Sequence, residues 1–164
     1  MQGVIVQLNR SHGGLPKRPV SGGLITHLGL EGDVQAHPVI HGGPRKAILL
    51  AASEIIDQLV SRGYPLFYGA IGENLTTKGL DIRRLRIGDQ IRAGAAVLEI
   101  TQPRGPCKAL DTYGASLKDE IFDSKVKALD HTSPLWGMSG FYARVLRPGS
   151  IRAEDIIAVV AQLA

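Results

Sequence analysis

Apolar residues along this chain come in short runs, many alternating with polar ones, and glycine or proline closes most runs. Period-two alternation marks half-buried strands. Gly3–Leu8 reads as a first strand with Val4, Val6 and Leu8 on one face. Leu85–Ala93 and Ala95–Thr101 read as two more, and a last strand lies near Ile156–Val160. In the basic run Arg83-Arg84-Leu85-Arg86, an extended backbone turns Arg84 and Arg86 to solvent and Leu85 and Ile87 to the core. Val39–Leu50 reads as a polar loop feeding a short apolar strand, and Gly69–Leu80 as a glycine-punctuated loop. Helical periodicity is confined to a few places. Ser53 is placed as the N-cap of a helix through about Arg62, with Glu54 and Asp57 near its positive end and Ile55, Ile56, Leu59 and Val60 as its apolar stripe. Lys108–Leu129 holds one or two short helices. The sum is about seven or eight short strands with two or three short helices, a mostly β (α+β), barrel-like domain. No long helices alternate with the strands, which argues against a doubly wound sheet.

Length and composition narrow this further. A chain of 164 residues is read as a single domain, 1–164, large enough to bury its own core. With 44% apolar and 21% charged residues it has the balance of a globular protein in water, and 20 glycines and 9 prolines supply the turns. The longest apolar runs, Ala47–Ala52 and Ile156–Ala161, are far short of the about twenty residues a membrane helix needs. The opening MQGVIVQLNR has no basic segment ahead of its apolar residues, so it reads as a strand and not a signal peptide. One cysteine allows no internal disulfide and suits a reducing compartment, so a cytoplasmic protein without membrane attachment is expected. The net charge of +4 favours anionic partners only weakly. The few aromatic residues do not interleave with the basic ones as a nucleobase-stacking surface requires, which disfavours nucleic acid.

That cysteine, Cys107, sits in TQPRGPCKAL behind two prolines and a glycine, between Arg104 and Lys108. An unpaired cysteine is commonly a small buried hydrophobe. Here a rigid bend, the start of a helical turn at Pro106 and flanking cations all favour a thiolate, the form that binds soft metals and carries sulfur. The loops at Gly13–Arg18, Gly42–Lys46 and Gly72–Thr77 combine glycines with cations, hydroxyls or amides, the ingredients of an anion cradle. None matches GxxxxGK[ST], and no GxSxG elbow occurs. Ser139 in GMSG reads as a turn residue. His37 and His41 have the spacing of two helical zinc ligands, but Pro38 and Gly42-Gly43-Pro44 oppose a helix there.

Six ordered blocks carry a family resemblance: GGLPKRPV, GLEGDVQAHPVIHGGPRKAILL, GAIGENLTTKGLD, RIGDQIRAG, LEITQPRGPCKAL and GMSGFYARVLRPG. Together they resemble the molybdenum-cofactor sulfurase C-terminal (MOSC) domain across roughly residues 3–158, most of all the small bacterial stand-alone members. The resemblance implies a β-barrel fold and the handling of molybdenum cofactor (molybdopterin) or activated sulfur. It makes Cys107 the catalytic and metal-binding residue, and Lys17, in the PK loop, the holder of the cofactor's phosphate. His41, Gly42 and Gly43 match the HGG block; Glu73, Asn74 and Thr76 match GENLT; Arg104 matches the polar residue ahead of the cysteine. His37 and Arg45 stand where acidic residues are common, which makes the pocket more positive, and Arg45 becomes a further candidate for the phosphate.

Three activities are compatible with this pattern. One is reduction of N-hydroxylated small molecules by a molybdenum oxidoreductase. Another is sulfur transfer through a Cys107 persulfide, and the third is carriage of the cofactor without turnover. With neither an aminotransferase-like half nor an iron–sulfur domain in the sequence, no pyridoxal phosphate is expected in this chain. Electrons or sulfur are expected from a separate donor protein.

Overall fold

The computed structural model describes residues 1–35 and 42–162, and the architecture is that of these residues. Eleven strands form: β1 (Gln2–Arg10), β2 (Arg18–Val20), β3 (Gly22–Thr26), β4 (Gly29–Leu30), β5 (Ile48–Ala52), β6 (Leu75–Lys78), β7 (Gln90–Ala93), β8 (Ala96–Pro103), β9 (Phe141–Arg147), β10 (Gly149–Arg152) and β11 (Ile156–Ala161). The α-helices are α1 (Ser53–Ser61), α2 (Leu117–Ile121) and α3 (Ser124–Lys127), and short 3-10 turns cover Pro44–Lys46, Ile82–Arg84 and Lys108–Tyr113. Strands run in the order β11-β7-β8-β9-β5-β6-β1, and β1 pairs back onto β11. These seven strands therefore close into a barrel. All its pairs are antiparallel except β5–β6. β2 extends the sheet beyond β1, and β10, β3 and β4 form a separate three-stranded sheet.

β5 is the run ILLAA, buried at every position. A strand of continuous apolar residues is one covered on both faces. Its neighbours set the level at which the site forms. Leu50 pairs with Leu75 on one side and Phe141 on the other, Leu75 pairs onward with Leu8, and Phe141 with Pro103. At this row β6 and β9 begin and β8 ends. Leu50, Leu75, Leu8 and Phe141 are fully buried, so the row is anchored in the core just where the loops depart.

Several expected details differ in the structure. The first strand forms, but Ile5 and Leu8 face the core while Val4 and Val6 are only half-buried. A bulge against β6 between Ile5 and Gln7 adds one residue to β1, and an extra residue reverses which face follows. Ser53 is not the N-cap; Ala52 is, in extended conformation, and Ser53 opens α1 with its side chain buried. Ile55, Ile56 and Leu59 pack into the core as expected, whereas Val60 is exposed. The basic run is not a strand. Ile82–Arg84 is a 3-10 turn, and the Arg86 and Asp89 backbones close a second turn before β7 starts at Gln90. Leu85 is still buried and Arg84 still exposed, but through turns and not alternation. The strand number exceeds the expectation because β2, β3, β4 and β10 are short pieces without period-two signal, and within the stretch expected as the Gly69–Leu80 loop Leu75–Lys78 pairs as β6. No described helix is long and apolar enough to cross a membrane.

Candidate functional site

The residues next to the Leu50 row are Leu49, Asn74, Arg104 and Tyr142, and all four line a single cavity of ≈ 170 Å³. Gly14, Leu15 and Lys17 from the β1–β2 loop, Val34, Gln35 and Lys46 from the β4–β5 segment, Ile71 and Gly72 ahead of β6, and Cys107 and Ala109 after β8 complete it. The barrel register thus delivers four separate loops to one place, beside Leu49 of β5 and Tyr142 of β9.

Cys107 caps the 3-10 turn Lys108–Tyr113, so the turn begins two residues later than a start at Pro106. Its carbonyl accepts the Leu110 N–H at 3.1 Å, and the thiol is free and half-buried. Arg104 is held from all sides. Its N–H donates to the Gly140 carbonyl at 2.9 Å, and its carbonyl accepts the Ser139 hydroxyl at 2.6 Å. Ser139 is the turn residue expected, and it is fully buried. Arg104 is 3% exposed, with Nη2 donating to the Ile71 carbonyl at 3.0 Å and lying 4.0 Å from Cys107 Sγ. Its Nε and Nη1 are buried without a hydrogen-bond partner. Lys108, the other flanking cation, is exposed and does not line the cavity.

Lys17 is buried and paired with Asp33, a residue the sequence reading passed over. Asp33 also accepts the Ser11 N–H and Asn74 Nδ2, each at 2.9 Å. Asn74 is used up by structure: its Oδ1 takes the Leu49 N–H at 3.1 Å and its Nδ2 also reaches the Asn9 carbonyl. Lys46 lies over the Tyr142 ring at 5.6 Å, and burial pushes the Tyr142 phenol up. Tyr142 therefore lines the cavity, while Trp136 fills the core and donates to the Leu85 carbonyl. Nothing in sequence spacing marks Asp33, since Glu31 stands two residues before it and Glu73 is a further acid among the candidate loops.

The other sequence candidates stand apart from the cavity wall. Gly43 caps the Pro44–Lys46 turn at φ 90° and its carbonyl takes the Lys46 N–H, so the glycine loop serves to present Lys46. Gly42 and Arg45 do not line the cavity; Arg45 is exposed and offers its carbonyl to the Thr101 hydroxyl. His41 and His37 lie outside the described residues. Glu73 and Thr76 are fully buried behind the cavity. Glu73 Oε1 accepts the Gly69 N–H at 2.6 Å and the Thr76 hydroxyl at 3.1 Å, and its Oε2 has no partner. Burial raises the Glu73 carboxyl to about 7, against hydrogen bonds and Arg104 that pull it down.

This shift has a consequence for stability. The folded chain holds the Glu73 proton more tightly than the unfolded one, so the contribution is full below the ordinary carboxylate range and lost as pH rises through about 7. Glu73→Gln keeps an acceptor for Gly69 and cannot ionise. Its melting temperature relative to the parent is expected to rise between about pH 5 and about pH 8.5. A difference that does not change with pH would contradict this.

Comparison with known proteins places these features. The MOSC domain family model matches residues 37–158. The uncharacterized protein YflK of Bacillus subtilis is 37% identical over 143 residues, covering 84% of this chain and 59% of its own length. Protein YiiM of Escherichia coli is 33% identical over 149 residues, covering 85% of this chain and 60% of its own. The chain thus spans less than two thirds of the length of these curated relatives. Among solved structures, YiiM from Geobacillus stearothermophilus superposes with a TM-score of 0.72 at 29% identity, over 97% of this chain and 75% of that one. YiiM from Escherichia coli gives 0.69 at 26% identity, over 100% and 72%. With the family model matching most of its length and the barrel matching these structures, the chain belongs to the MOSC domain family.

Proposed function

We propose that this cavity binds molybdenum cofactor, with Cys107 as protein ligand to the metal, and that the chain reduces N-hydroxylated small molecules. The observation that carries the reading is the pairing of a free thiol with a buried guanidinium 4.0 Å away, two of whose nitrogens lack partners. A thiolate suits a soft metal, and an arginine fork suits an oxyanion or phosphate. When bound, the cofactor supplies the redox chemistry. The chain's own part is to hold and exclude. Arg104, fixed by Ile71, Ser139 and Gly140, stabilises negative charge beside the sulfur. Lys17 and Lys46 hold the phosphate end, Lys17 with its charge shared by Asp33. Leu15, Leu49 and Ile71 keep water from the metal side. Electrons come from a separate donor protein and protons from solvent, converting an N-hydroxy group to the amine and water.

A second reading uses the same half-exposed thiol without metal, as a persulfide carrier. Cyanide treatment of protein loaded with a sulfane-sulfur donor separates the two. Under the proposed function, chain purified from a host that makes the cofactor carries an oxidisable, fluorescent pterin and releases no thiocyanate above a Cys107→Ala control. Thiocyanate in proportion to chain, with no pterin, would replace reduction by sulfur transfer. Pterin without reductase activity from any electron donor would leave a cofactor carrier.

A further inference from the structure

Two buried ionisable groups hydrogen-bond to one and the same turn. Glu73 Oε1 holds the Gly69 N–H, and Arg104 Nη2 holds the Ile71 carbonyl. The same turn takes the Lys17 N–H on the Gly69 carbonyl at 2.9 Å, and its Gly72 N–H closes back on Gly69 at 3.1 Å. The remaining oxygen of Glu73, Oε2, and the remaining nitrogens of Arg104, Nε and Nη1, are each buried without a hydrogen-bond partner. Glu73 is completely enclosed and Arg104 nearly so, so neither charge is screened by solvent. The charged and titratable groups acting on Glu73 are Arg104, from the segment after β8, and Tyr113, at the end of the 3-10 turn that Cys107 caps; Tyr113 in turn lies within reach of Arg18.

We propose that Glu73 is a positioning residue that couples proton uptake to the binding of an oxyanion or phosphate monoester at Arg104. With Glu73 ionised, Arg104 is partly neutralised from behind and attracts an anion in the cavity less. When an anion arrives, the carboxylate takes a proton from solvent, and the guanidinium's full charge faces the ligand. Nothing is oxidised or reduced; a fraction of a proton passes from solvent to Glu73 for each anion bound, because near pH 7 the carboxyl is already partly protonated. Glu73 and Arg104 are joined through the turn they both bond, and the raised carboxyl value of about 7 sets where the coupling shows. Affinity is high with Glu73 neutral and falls as pH rises through that value. The inference rests on the anion-binding part of the proposed function and on no metal.

Sulfate is the probe, because it remains a dianion throughout the range and its own titration cannot mimic the protein's. The host is the full chain carrying Cys107→Ser, so that no thiol ionises. Titration calorimetry between about pH 6 and about pH 8.5 should show sulfate affinity falling by about tenfold, within the range of coupled sites. Repeating it near pH 7 in two buffers of different ionisation enthalpy should show net proton uptake, a measurement that leaves Glu73 unmutated. Adding Glu73→Gln should flatten the profile at the high-affinity level and abolish the proton uptake. A purely structural role predicts instead equal weakening at every pH with the slope kept, and that result overturns the proposal. So does sulfate binding without proton uptake, or no sulfate binding at all. Protein that loads molybdenum but binds sulfate independently of pH loses this coupling alone. Protein that never loads molybdenum but shows the coupling loses only the reductase reading.

Discussion

Asp33→Ala is expected to destabilise the chain by about 3–5 kcal/mol, the cost of leaving a buried charge without its partner. The Lys17 and Asp33 side chains are 8% and 5% exposed, so water cannot replace the lost carboxylate. The substitution also strips an acceptor from the Ser11 N–H and from Asn74, which joins this pair to β5 through Leu49. Urea unfolding read by circular dichroism measures the loss as a shift in midpoint. The double replacement Lys17→Met with Asp33→Leu should recover most of it, because a buried ion pair exchanged for apolar groups of similar size is often neutral. Under the proposed function it should not restore cofactor binding, since position 17 then carries no charge. An Asp33→Ala protein within about 1 kcal/mol of the parent would mean that the pair opens to solvent.

Gly69→Ala is the second large effect. Gly69 has φ 99°, where a side chain costs about 1–2 kcal/mol, and a Cβ there would overlap the Lys17 carbonyl oxygen. Relief requires the Gly69–Gly72 turn and the Lys17 loop to separate. That breaks the Lys17 N–H bond to the Gly69 carbonyl and moves the turn that holds Arg104. A total cost of about 3 kcal/mol is expected, with loss of bound pterin beyond what lowered stability explains. Gly43→Ala provides the comparison. Gly43 has φ 90° but nothing within 4 Å of a Cβ, so its cost should stay near the dihedral penalty alone, about 1 kcal/mol. Equal losses at the two positions would show that crowding against Lys17 is not what fixes Gly69.

How far the sequence was legible depends on what kind of signal each feature leaves. The barrel followed from short apolar runs, and closure needed only that β11 meet β1. Parity within β1 was lost because a bulge is a property of two strands, and β1 alone does not reveal that β6 skips a residue. The arginine run alternates as a strand would, yet Asp89 caps the Arg86 N–H and makes it a turn. Ser53 has the chemistry of a cap, but β5 runs straight into α1 and leaves Ala52 in that place. In the site, Cys107, Arg104, Lys17 and Asn74 were found by their blocks and meet in one cavity. Asp33, Lys46 and Tyr142 lie in the same blocks, Lys46 at the end of an expected anion loop, but none stands out singly there, because what makes each matter is a partner distant in sequence: Lys17 for Asp33, and each other for Lys46 and Tyr142. Glu73 was found as a block member, but its enclosure behind Arg104 is visible only in three dimensions.

The proposed tie between Cys107 and molybdenum cofactor in this cavity is measurable as bound metal. It is tested most directly by elemental mass spectrometry of the full chain and its Cys107→Ser variant, each purified from a host that makes the cofactor. Near-stoichiometric molybdenum in the parent, lost in the variant while its melting temperature is kept, is the predicted result. A parent chain without molybdenum, or a variant that retains it in full, would contradict the account.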